Sequence, residues 1–164
     1  MAEAAGVSRG TVHNTLGTRE DAIATALNHL AAGFTETMAT QVNKETTLAG
    51  QVAAAAVLIS AHRRQSDSTP RALNQSVLVL LLEHGGDELM RHSIELWKPL
   101  VKAAQRTGEV AAGIDAARAS EWIIRMLFSF ELLPTIAVNL DNPRAVRRFV
   151  NDHIVAGLKG NDRG

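Results

Sequence analysis

Apolar residues along this chain recur at intervals of three and four, the period of helices with one buried face, and nowhere alternate as half-buried strands do. Ser8 caps a short predicted helix over about Arg9 to Thr15 that stops at Gly17. Thr18, with Asp21 three positions on, makes an acidic capping box for a long helix over about Arg19 to Asn43, with the inner stripe Ile23, Leu27, Leu30, Phe34, Met38 and Val42. A helix over about Leu48 to Arg64 follows, with Leu48, Val52, Ala55 and Ile59 on one face. Thr69 and Pro70 place a cap before a first-turn proline and predict a helix to about Glu83, ended by Gly85 and Gly86. Because Val77 to Leu82 is apolar all round, that helix is expected to be the central one. Asp87 opens an amphipathic helix with an inner stripe of Met90, Ile94, Trp97, Val101 and Ala104. Its Pro99 removes a backbone donor and predicts a kink near Glu95 to Pro99, and Gly108 ends it. Asp115 starts a helix to Leu133, stopped by Pro134, and Asn142 with Pro143 starts a last one to about Leu158. The expected fold is all-α, with Gly160 to Gly164 as a disordered tail.

Composition narrows the class. The 164 residues carry 17 basic and 17 acidic side chains and no Cys, which excludes a disulfide framework and a zinc-thiolate site. The longest unbroken apolar run, Val52 to Ile59, is far short of the ~20 residues of a membrane span, and the acidic start at Glu3 is unlike a signal peptide. A soluble, cytoplasmic protein without membrane attachment is expected. With zero net charge, any contact with nucleic acid has to be local.

One local segment fits such a contact. Residues 1–20 hold an apolar helix end, a turn at Gly6, the Ser8 cap and a second short helix, which is the layout of a helix-turn-helix unit. Ala2 and Ala5 are small enough for close helix crossing, and Val7 and Val12 pack beneath the turn. Arg9, Thr11, His13, Asn14 and Thr15 are then placed to face a major groove or its flanking phosphates. An ordinary helical hairpin within a bundle fits the same spacing.

The string Ala2-Glu3-Ala4-Ala5-Gly6-Val7-Ser8-Arg9-Gly10-Thr11-Val12, followed by Gly17-Thr18-Arg19-Glu20-Asp21, resembles the recognition region of TetR-family transcriptional regulators. The helix count and the Gly108-Glu109-Val110 break are also similar to that family. The resemblance implies a homodimer with an N-terminal DNA-binding domain and a helical domain that binds a small molecule and releases the operator. It assigns DNA contact to Ser8, Arg9, Gly10, Thr11, His13, Asn14, Thr15, Thr18 and Arg19. Two departures qualify it. His13-Asn14-Thr15-Leu16 stands where the family usually has Tyr-x-Tyr-Phe or Tyr-x-His-Phe, and Met1 falls inside what should be the family's second helix. The sequence therefore reads as residues 1–43, a truncated helix-turn-helix region with its connecting helix, and residues 44–164, a helical ligand-binding and dimerisation domain. Residues 1–30 hold Arg9 and Arg19 against Glu3, Glu20 and Asp21, whereas a specific binder makes ~6 to 10 phosphate contacts. Operator affinity is expected to be weakened by the truncation, and restored in a salt-dependent way by the family's first helix. The alternative is a helical dimer that binds a small molecule or a protein and no longer binds DNA.

The helices from Leu48 to Ala104 are expected to bracket an apolar interior. His62 continues the stripe of its helix, and with Asn74, Gln75 and Trp97 it supplies the few polar groups that would orient a small apolar effector. Met90, Met126 and Phe130 fit either the lining of such a pocket or plain core. The penultimate helix is apolar over most of its circumference and the last one carries a single seam. A homodimer is therefore expected through Trp122, Ile123, Leu127 and Phe128 together with Phe149, Val150, His153, Ile154 and Gly157. Glu88 and His92, four apart, suit a solvated ion pair better than a metal site. With no Gly-x-Ser-x-Gly, phosphate-binding glycine loop, Cys nucleophile or paired carboxylates, neither an enzyme nor a cofactor is expected.

Overall fold

The computed structural model describes residues 19–67 and 77–159, and among them every regular element is helical. The elements are α1 (Arg19–Val42), α2 (Leu48–Asp67), α3 (Val77–Arg106), α4 (Ala116–Leu132) and α5 (Pro143–Phe149). A π-helical segment (Val150–Val155) and a 3-10 turn (Ala156–Leu158) continue α5. None of the described helices is long and apolar enough to cross a membrane.

The boundaries follow from capping chemistry. Asp115 Oδ1 accepts the Arg118 N–H at 2.8 Å to start α4, and the Leu133 N–H donates to the Ser129 carbonyl at its end, just before Pro134. Asn142 Oδ1 accepts the N–H groups of Arg144 and Ala145 at 3.0 and 3.4 Å, with Pro143 in the first turn of α5. The start of α2 is held from two directions. Thr47 Oγ1 accepts the Gly50 N–H at 3.1 Å, and the Glu109 carboxylate, from the loop between α3 and α4, accepts the N–H groups of Leu48 and Ala49 at 2.8 and 2.7 Å. Gly108, at φ +78°, takes the left-handed conformation that turns the chain out of α3 and delivers Glu109. The Gln105 side-chain amide donates to the carbonyls of Ala111 and Ile114 and fixes the rest of the loop.

The interruption expected at Gly85 and Gly86 is present: Gly85 leaves helical dihedrals, so α3 is two helices joined across a kink there. That departure falls at Gly85 and not at Pro99, which sits inside the second of the two. Two expectations are corrected. The last helix does reach Leu158, but it widens to π and then tightens to 3-10. Finally, the central helix is α2. Val52 and Ala53 to Ala56 are buried on all sides, packed among α1, α4, α5 and the π segment, whereas Leu78 to Leu82 are only half-buried. The reason is size: methyl side chains let neighbouring helices approach α2 from every direction, and alanine favours the helix itself.

The core runs from Val42 and Leu48 through Val52, Val101, Ile123, Ile124 and Leu127 to Val146, Val150 and Ile154. Polar side chains tie the end of α2 to the loop between α4 and α5. Arg63 donates to the Leu133 carbonyl at 3.1 Å, and Arg64 donates to the Leu140 carbonyl at 3.0 Å and lies 3.6 Å from Asp141. Arg147 of α5 pairs with Glu45 ahead of α2 at 3.1 Å.

Candidate functional site

Four helices enclose a cavity of about 200 Å³, and each lines it at helical spacing. From α1 come Phe34, Thr35 and Met38, and from α2 Ile59 and His62. The first stretch of α3 gives Leu78 and Leu81; beyond Gly85 the same helix gives Leu89, Ser93, Leu96 and Trp97. From α4 come Ile124, Leu127, Phe128 and Glu131. Ile59, Trp97, Ile124 and Leu127 are buried and belong to the core as well, while Leu96, 48% exposed, marks an open side. The His62 ring tilts against Phe34 with centroids 5.4 Å apart, joining α1 to α2 at the wall. The lining is thus mainly apolar and aromatic, with Thr35, His62, Ser93 and Glu131 as its polar members. Such a surface can bind an apolar body and orient it through one or two hydrogen bonds.

Of the residues expected to contact a ligand, His62 and Trp97 line this cavity. Met90 and Met126 pack half-buried against the core, and Phe130 is buried edge-on to Phe149, with ring centroids 6.0 Å apart; none of the three lines the cavity. Asn74 and Gln75 lie outside the described residues. Phe34 and Met38 were legible only as the inner stripe of their helix, and Glu131 carried no signal beyond its place on the α4 stripe.

The expected dimer seam divides in two. Ile123, Leu127, Val150 and Ile154 are buried inside the protomer and leave no surface for a partner. α4 packs against both α2 and α3, which cover Ile123 and Leu127 but leave Trp122 and Leu132 exposed. Phe128 lines the cavity instead. Trp122, 40% exposed and donating its indole N–H to the Ile154 carbonyl at 3.2 Å, stays at the surface with His153 and Gly157. Phe149 is half-buried and tilted against the His153 ring at 5.0 Å.

The expected DNA contacts Ser8, Arg9, Gly10, Thr11, His13, Asn14, Thr15 and Thr18 lie outside the described residues. Arg19 opens α1, and its side chain is also outside them. Glu88 and His92 are both exposed on α3. No protein-family model matches the chain, and no curated protein and no solved structure matches it.

Proposed function

We propose that this chain is a TetR-like, ligand-responsive transcriptional regulator whose sensor is the cavity among α1, α2, α3 and α4. The observation that carries the reading is the cavity itself: about 200 Å³, apolar over most of its wall, with a few polar groups. Dry cavities of roughly 150 Å³ are large enough to hold benzene, so the volume suits a small, mainly apolar molecule. The path to DNA is covalent. The α1 helix carries Phe34, Thr35 and Met38 on the cavity wall, and its first residue follows directly on the segment with the helix-turn-helix layout. Fifteen residues of helix separate Arg19 from Phe34, about 22 Å at 1.5 Å per residue. A ligand that prefers one tilt of α1 therefore biases the placement of residues 1–18, by as much as its affinity differs between the two tilts. In this reading the protein acts as a homodimer, with Trp122, Phe149, His153 and Gly157 at the two-fold contact. The test is fluorescence anisotropy on DNA from upstream of the gene, across a salt series, with and without a cavity ligand found by thermal shift. A regulator gives salt-dependent binding that the ligand weakens. Ligand binding without any DNA binding would leave a helical small-molecule-binding module.

A further inference from the structure

We infer that the occupant of this cavity is an uncharged aromatic carbonyl compound whose oxygen accepts the hydroxyl proton of Ser93; the inference rests on the cavity reading above and names the ligand class. Hydroxyls elsewhere in these helices turn back on their own backbone: Thr37, Thr40, Ser60, Ser120 and Ser129 each donate to a carbonyl three or four residues earlier. Ser93 departs from that habit. It is half-buried on the α3 wall, and its hydroxyl makes no hydrogen bond among the described residues. Thr35, His62 and Glu131, the other polar members of the wall, already have interactions of their own. Ser93 is therefore the polar group left to orient a ligand. Once a ligand displaces water from it, the hydroxyl needs an acceptor for its proton, and a ligand carbonyl supplies one. A ligand that only donates leaves that proton unpaired. The described wall has no lysine or arginine to hold an anion, and Glu131 is already engaged, so an uncharged ligand fits. Each of the four helices also sets one ring in the wall: Phe34 from α1, His62 from α2, Trp97 from α3 and Phe128 from α4. Three of the six Phe and Trp side chains of the whole chain thus stand around this one space. Rings facing it from several sides favour a planar ring between them, through stacked and edge-on contacts that a saturated ring does not make.

Three probes of one length and shape separate these effects: butyrophenone; butylbenzene, which has a methylene in place of the carbonyl; and cyclohexyl propyl ketone, which has a saturated ring. Each is brought to equilibrium by dialysis against the full chain and against Ser93→Ala, which removes one half-buried oxygen and leaves a strong helix former on α3. Butyrophenone should bind Ser93→Ala about 3- to 10-fold more weakly than the parent, the scale of one neutral hydrogen bond, while butylbenzene changes by no more than about 1.5-fold. On the parent, butyrophenone should bind about 2- to 10-fold more tightly than cyclohexyl propyl ketone. Equal changes for butyrophenone and butylbenzene between the two proteins overturn the Ser93 contact and leave the cavity reading standing. Equal or tighter binding of the saturated ketone by the parent overturns the aromatic assignment, and binding of butylbenzene without either ketone overturns the carbonyl. No binding of any probe overturns the assignment and the cavity reading together.

Discussion

Replacing Glu109 tests whether the central helix depends on a clamp supplied 60 residues away. Its carboxylate accepts two N–H groups, from Leu48 and Ala49 at 2.8 and 2.7 Å, in a partly buried setting at the N-terminus of α2. In Glu109→Ala both donors revert to water or go unpaired, and the favourable charge at the positive end of the helix is lost. A charged hydrogen bond contributes about 1.5–3 kcal/mol when buried; with partial exposure, and with Thr47 still capping Gly50, the pair contributes about 2–3 kcal/mol. For a chain of this size that is a fall in melting temperature of roughly 4–12 °C. Glu109→Gln keeps one acceptor and the shape, and should lose about half as much. Thr47→Ala, which removes one exposed neutral cap, should cost about 0.5–1 kcal/mol. Calorimetric melts of the three variants under one buffer condition check the series. A Glu109→Ala melt within a degree of the parent would refute the clamp, and equal losses for Glu109→Ala and Thr47→Ala would refute the emphasis on charge.

Ala55→Leu puts a branched side chain where α2 is fully buried, and should cost about 1–3 kcal/mol or more through overpacking, read as a lower denaturant midpoint at unchanged slope. Phe130→Ala removes a buried ring and its edge contact with Phe149, and should cost about 3–5 kcal/mol in the same assay.

The helices were legible because the residues that start and stop them act locally. Asp115, Asn142 with Pro143, and Pro134 each work within one turn, so sequence alone places both ends of α4 and the start of α5. What failed depended on residues far apart in the chain. The alanines of α2 look weakly hydrophobic beside Val77 to Leu82, yet their small size makes α2 the element that every other helix can reach. Likewise, Ile123 and Leu127 of α4 look available to a partner chain until α2 and α3 are seen to cover them. The cavity was half legible: His62 and Trp97 stand out as amphipathic residues on apolar stripes. Phe34, Leu89 and Phe128 are indistinguishable by period from core, since only the spacing between helices decides whether an inward side chain meets another side chain or open space.

The proposed role of the space among the four helices is to receive a small molecule. Its most direct measurement is the melting temperature of the parent and of Ser93→Trp, which fills the cavity from α3, each with a panel of small apolar molecules. A ligand present at about 100 times its dissociation constant stabilises the folded state by about 2.7 kcal/mol, an upward shift of roughly 5–11 °C. Such a shift is expected for the parent and none for Ser93→Trp. No shift with any molecule of the panel, or equal shifts in both proteins, would contradict it.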